Sequence, residues 1–211
     1  MSEQPEITQA LLKQIIEAAL LASDEPLNHA QISSLFEEPN QPANAEISKA
    51  LEELGKDCED RGVELKQVAS GYRLQVKQSM QEWIKRLWTM RPQRYSRAML
   101  ETLSLIAYRQ PITRGEIESV RGVSLSSNII RTMQERDWIR VVGHRDVPGK
   151  PALFGTTPAF LDHFDLKSLD DLPTLSEIRD LDALEPELDF KENEEPAESK
   201  AEDADNDDSR Q

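Results

Sequence analysis

The chain has a single cysteine, Cys58, among its 211 residues. One thiol closes no internal disulfide and fits a reducing, cytoplasmic compartment. Histidine is nearly as scarce. His29, His144 and His163 stand far apart, with no cysteine or carboxylate at metal-ligand spacing, so no zinc site is expected. No apolar run approaches the roughly 18 residues a membrane span needs. The N-terminus carries Glu3 and Glu6 and no basic region ahead of an apolar stretch, so no signal peptide is expected. An assembly of nucleophile, base and oxyanion donors is also missing, which argues against an enzyme and against any cofactor. Gly155-Thr156-Thr157 is far from a phosphate loop and reads as a strand end with an N-cap, Pro158 standing at the first helical position. Asp170 and Asp171, between Ser168 and Pro173, read as turn and cap residues. Cys58 follows Leu54 by one helical turn and reads as core.

Charge is present in quantity and unevenly placed. Lys and Arg number 25 against 40 Asp and Glu, a net charge of −15. Residues 180–211 hold 14 acids and 3 bases, whereas residues 83–150 hold 13 bases and 6 acids. The C-terminal stretch has too few apolar residues to offset its ordering entropy and reads as a disordered acidic tail.

Hydrophobic periodicity organises the rest. Residues 8–22 carry apolar groups at Leu11, Leu12, Ile15, Ile16, Ala19 and Leu20, a broad helical stripe. A short helix over 28–36 opens on Asn28 with Gln31 three residues later, a capping box. A third helix over 43–60 follows. Alternation at Val63, Leu65 and Val68, then at Tyr72, Leu74 and Val76, flanks Ser70-Gly71 and predicts a β-hairpin. After a connecting helix over 78–90 the order returns: helices over 96–109, 113–121 and 126–136, then strands over 138–142 and 152–156. Pro26, Leu27, Asn28, Gln31, Ile32 and Leu35 align with Pro111, Ile112, Thr113, Glu116, Ile117 and Val120 at an offset of 85. The expected fold class is α+β, mostly helical: two tandem winged-helix domains and a disordered acidic C-terminal tail. The expected boundaries are 1–77, a linker over 78–93, a second domain over 94–178, and the tail over 179–211.

Three blocks carry a family resemblance: TLSLIAYRQPITRGEIESVRGV over 102–123, VVGHRDVPGKPALFGTTPAFLDHF over 141–164, and LKSLDDLP over 166–173. In this order and spacing they closely resemble the bacterial segregation and condensation protein B family. His144 departs from the Arg more usual after that glycine. The resemblance implies a non-catalytic, cytoplasmic and nucleoid-associated subunit that homodimerises through its N-terminal domain. It implies binding to the kleisin, segregation and condensation protein A, and through it to an SMC ATPase in chromosome condensation and segregation.

Candidate surfaces follow from the residues. Aromatics and arginines anchor interfaces, so Tyr108, Arg109, Ile112, Leu153 and Phe154 are the candidates for kleisin binding. Leu153 and Phe154 are consecutive, so one of them should face outward. On the first helix Leu12, Ile16 and Leu20 are the candidate dimerisation residues. Trp83 and Trp88 lie five apart on the connector, one expected in the core and one at an interface. Trp138 opens a strand and reads as core. The alternative function is a winged-helix DNA-binding transcriptional regulator. Arg131, Arg145 and Lys150 are its candidate phosphate contacts. Against it, the third helix of the first domain carries Glu46, Glu52, Glu53, Asp57, Glu59 and Asp60, a face that repels phosphate. Direct DNA binding is expected to be weak or absent.

Overall fold

A computed structural model of the chain describes residues 7–38, 40–87 and 95–174. The fold there mixes α-helices with small antiparallel sheets around two separate apolar cores. The N-terminal unit comprises α1 (Gln9–Ala22), α2 (His29–Ser33), α3 (Asn44–Asp57) and a hairpin of β1 (Val63–Val68) and β2 (Gly71–Val76). Thr8 caps α1 by accepting the Leu11 amide at 3.3 Å. Leu12, Ile16 and Leu20 recur every fourth residue, fall on one helical face, and are buried in one cluster with Ile47, Leu51 and Leu54 of α3. Cys58 completes that cluster, and burial pushes its thiol pKa up, away from thiolate chemistry.

The C-terminal unit comprises α5 (Arg97–Arg109), β3 (Ile112–Thr113), α6 (Arg114–Arg121), α7 (Ser127–Glu135), β4 (Ile139–His144), β5 (Ala152–Thr156) and α8 (Pro158–His163). Its sheet has the order β3-β5-β4, all antiparallel, with a register shift between Val141 and Gly143. Trp138 and Met133 are buried in its core, and Thr157 caps α8 with Pro158 in the first turn.

The offset of 85 recurs in three dimensions. Asn28 and Thr113 are both N-caps, each in a reciprocal capping box with Gln31 and Glu116. Ile32 and Ile117 are both fully buried, and Leu35 and Val120 both exposed. Leu27 bridges Tyr72 of its hairpin, as Ile112 pairs with Phe154 of the other. Gly71 permits the first contact: its φ is +153°, and a Cβ there would stand 2.4 Å from the Leu27 carbonyl.

Several elements depart from the sequence reading. Strand β3 went unforeseen, because two residues show no alternation and Thr113 already reads as a cap. Helix α2 stops at Ser33 and not at 36, where the Ser34 hydroxyl donates back to the Gln31 carbonyl at 2.7 Å. Helix α3 stops at Asp57 and not at 60, where the Lys77 ammonium donates to the carbonyls of Cys58 and Glu59 at 2.9 and 2.5 Å. The connector is not one helix over 78–90. It is a 3₁₀ turn over Gln78–Met80, the single turn α4 (Gln81–Ile84), and a second 3₁₀ turn over Lys85–Leu87. None of its described residues, 78–87, is buried, so no packed face there supports propagation of a helix. Trp88 and the expected acidic tail lie outside the described residues.

The two units meet through the turn between β1 and β2. The Ala69 amide donates to the Leu166 carbonyl and the Ser70 amide to Asp162 Oδ1, both at 2.9 Å. Arg73 forms an ion pair with Asp165, whose other oxygen accepts from Gln75 Nε2 at 3.2 Å.

Candidate functional site

The residues singled out for partner binding divide between core and surface. Ile112 and Phe154 face each other across β3 and β5 and are both buried, so neither offers a surface. Of the consecutive pair it is Leu153 that stays partly exposed. Tyr108 is half-buried on the last turn of α5, and its hydroxyl donates to the Pro173 carbonyl at 2.6 Å. Arg109 beside it is exposed. The accessible members of the set are therefore Tyr108 and Arg109 at the end of α5 and Leu153 on β5, while Ile112 and Phe154 belong to the core.

Next to Arg109, Gln110 ties α5 to the sheet. Its Oε1 accepts the Thr156 amide at 2.7 Å, and its Nε2 donates to Thr156 Oγ1 at 2.9 Å. Nothing in the sequence pattern marks that contact, since the two residues are 46 apart.

Leu12, Ile16 and Leu20 also lie inside, between 0% and 4% exposed. They are spent on the core of their own unit, so the surplus on α1 lies elsewhere. Its outer face is Ala18, Leu21 and Ala22, all exposed, with Leu11 and Ile15 partly so. The expected seam residues are core, and the exposed apolar residues of α1 lie outside the stripe that the sequence pattern marks. On the connector Trp83 is 65% exposed and Leu87 77%.

The candidate phosphate contacts are mostly committed to carboxylates. Arg131 pairs with Glu135 one turn on, at 2.7 Å, and Arg145 with Glu116 at 2.9 Å. Lys150 is exposed in the loop between β4 and β5, at a φ of +38°. The Thr113 amide, then its hydroxyl, lower the Glu116 pKa. On α3 the acids remain outward, and Lys13 and Lys56 are engaged by Asp57 and Glu52 at 2.6 and 2.7 Å. These charges offer duplex DNA no continuous cationic track.

Between the units lies a cleft of about 600 Å³, lined among others by Asn28, Arg73, Arg136, Trp138, Asp162 and His163. Arg136 stacks over the rings of Tyr95 and Trp138 at 5.1 and 5.3 Å. Burial, then the positive charges of Arg136 and Arg73, push the His163 pKa down. Its Nε2 lies 3.4 Å from the Tyr95 hydroxyl. Among the described residues no three His, Cys, Asp or Glu side chains gather as a metal set, and no helix is long and apolar enough to cross a membrane.

Comparison with known proteins places the chain. Residues 14–175 match the family described as segregation and condensation complex subunit ScpB. A segregation and condensation protein B homolog of Coxiella burnetii is 57% identical over 176 residues, which is 83% of this chain and 84% of that one. Segregation and condensation protein B of Bacillus subtilis is 39% identical over 84% of this chain and 89% of its own. Among solved structures, a dimer of an ScpB N-terminal domain complexed with an ScpA peptide is 32% identical, covering 36% of this chain and 93% of that one, with a TM-score of 0.32. On the sequence match across both units, the chain belongs to the segregation and condensation complex subunit ScpB family.

Proposed function

We propose that this chain is a non-catalytic accessory subunit of a bacterial SMC–kleisin complex, acting in the cytoplasm at the nucleoid in chromosome condensation and segregation. The carrying observation is the family match over residues 14–175, which spans both units. In this reading each helix–helix–helix–hairpin unit is a winged helix, with domains over 1–77 and 94–178, a linker over 78–93 and an acidic tail over 179–211. The first domain dimerises, and the second receives the kleisin, segregation and condensation protein A, which links it to the SMC ATPase.

The geometry supports a scaffold in two ways. The outer face of α1 leaves Leu21 68% exposed, with Ala18 and Ala22 beside it. That stripe suits the seam of a homodimer, with Leu12, Ile16 and Leu20 as the rigid layer behind it. On the second domain Tyr108, Arg109 and Leu153 leave aromatic, cationic and aliphatic groups accessible, the residue types that anchor a partner segment.

Light scattering on a sizing column tests the reading, with the protein alone and mixed with the kleisin of the same genome. The expected result is a dimer that shifts to one defined larger mass. Leu21→Glu should give a folded monomer, and Tyr108→Ala with Leu153→Ala should weaken the mixed complex. A chain that ignores the kleisin but binds duplex DNA at moderate salt would favour the regulator reading instead.

A further inference from the structure

The N-terminal hairpin has one covered edge and one open edge. Leu27 exchanges both main-chain bonds with Tyr72, each at 2.9 Å, and so covers β2. Tyr72 therefore turns its N–H and C=O away from β1. Its register partner on β1 is Gln67. Opposite residues of an antiparallel pair exchange both bonds or neither, in alternation. Gln67 thus turns its own groups away from β2, and Val63 and Leu65 do the same. Among the described residues nothing bonds to these outward groups. A row of unpaired main-chain donors and acceptors is a template for another strand.

Most devices that blunt an edge are absent from β1. It pairs with β2 from Val63 to Val68 without a bulge, and VELKQV contains no proline. One device is present, a lysine. Lys66 stands opposite Arg73 across the hairpin, a pair of like charges, and among the described residues no carboxylate pairs with it. Lys66 therefore repels a strand that brings it no anion, and favours one that does.

A second copy of the same edge brings that anion. In antiparallel pairing centred on Leu65, each Leu65 faces its counterpart, Val63 faces the partner's Gln67, and Glu64 faces the partner's Lys66. The outward main chains at 63, 65 and 67 then meet as bonded pairs, for roughly six hydrogen bonds. Glu64 and Lys66 fall at the non-bonded positions, where Cα atoms stand about 4.5 Å apart and side chains are closest. Glu64 has an oxygen to offer. Its Oε1 accepts from Gln75 Nε2 at 2.9 Å, and among the described residues its Oε2 has no partner. Sliding the register by two residues in either direction sets Glu64 against Glu64 or Lys66 against Lys66, so charge selects the centred register. Val63 and Leu65, half-buried against their own core, would cover one another across the seam.

We propose that β1 of one copy pairs antiparallel with β1 of a second copy, centred on Leu65, to make one continuous sheet of the two hairpins. Helix α1 packs on α3 and β2, so its outer face and the β1 edge are different surfaces, and the pairing joins one homodimer to the next. Three bonded positions make a contact well below the standard interface size, so it forms where copies are concentrated and not at sizing-column dilution. The homodimer of the accessory-subunit reading stands whether or not the edge pairs.

Disulfide trapping between two full-length variants, Glu64→Cys and Lys66→Cys, tests the register. In an equal mixture under mild oxidation the two new thiols face each other at bonding distance, while the second Glu64–Lys66 contact stays intact. The native thiol, Cys58, is buried. The mixed disulfide should form in large excess over the disulfide of either variant alone. Sedimentation at rising concentration tests the charges. Lys66→Glu should weaken the association of homodimers about tenfold, and Glu64→Lys/Lys66→Glu should restore it. Both side chains lie outside the core, so the fold and the homodimer persist in each variant. A mixed disulfide no more abundant than those of the single variants would overturn the proposal, as would an association that Lys66→Glu leaves unchanged. Protection of the Val63, Leu65 and Gln67 amides that appears only on adding the kleisin would also overturn it, and would put a strand of that partner on the edge.

Discussion

Gly155 shows how one residue couples the end of α5 to the sheet. A Cβ there would lie 2.9 Å from Gln110 Oε1 and 3.0 Å from Val142 Cγ1. Neither neighbour is loose, because Gln110 is bonded twice to Thr156 and Val142 sits at the register shift of β4. Gly155→Ala should therefore destabilise the protein by roughly 1–3 kcal/mol, the usual cost of overpacking. Urea denaturation followed by tryptophan fluorescence reads this, since Trp138 is buried in the same core. A variant as stable as the parent would show that Gln110 swings aside at no cost. At this scale the sequence was legible where a residue's own chemistry decides its place. Cys58, Trp138, Thr157 and Ser168 stand where their spacing puts them. It misled where the face of a helix had to be chosen among adjacent apolar residues. Leu11-Leu12 and Ile15-Ile16 offer two stripes one step apart, and only packing against α3 selects Leu12 and Ile16.

The turn between α6 and α7 is held by one carboxylate. Glu118 accepts the Leu125 amide at 2.9 Å and Arg114 Nε at 3.0 Å, while Arg114 also donates to Ser127 Oγ at 3.0 Å and to the Leu125 carbonyl. The Leu125 amide, then Arg114, lower the Glu118 pKa. A carboxyl lowered on folding binds protons more weakly in the native state than in the unfolded one. Its stabilisation is thus complete above the ordinary carboxylate pKa and is lost as pH falls through the folded value. Glu118→Gln should lower the melting temperature at pH 7 and flatten the acid limb of the stability curve; calorimetry between pH 3 and pH 7 measures both. An unchanged acid limb would assign it to other carboxylates, Glu116 foremost. The elements themselves were readable through their caps: Asn28 with Gln31 and Thr113 with Glu116 each fix a helix start within a residue. The connector was not readable. Its apolar residues have helical spacing, but Met80, Trp83 and Leu87 face outward. Periodicity reports an amphipathic face, not whether that face has anything to pack on.

For the whole molecule, what joins the two units is polar where each unit itself is apolar. Residues 92 apart in the chain make the joint: Ser70 with Asp162, and Arg73 with Asp165. No local pattern announces a contact of that separation, so the sequence yields two cores and is silent on how they are fastened. The pairing residues are substantially solvent-exposed, with Arg73 at 31% and Asp165 at 39%. Exposed pairs contribute about 0.2–1 kcal/mol each and weaken with salt. The ion pair therefore adds far less to stability than either apolar core does. Asp165→Asn removes the charge that Arg73 meets and weakens the acceptor for Gln75, while both cores stay whole. Spin labels on the exposed positions Ser48 and Ser119 should then report a broader distribution of distances between the units, and a similar broadening in the parent at high salt. The melting transitions of the two cores should not move. A narrow, unchanged distribution in Asp165→Asn would mean that the Ala69–Leu166 main-chain bond and the cleft walls fix the arrangement without the ion pair. In the scaffold proposed above, a joint this weak would let the C-terminal unit turn to meet a partner chain, and the Arg73–Asp165 pair would set part of the cost of that turn.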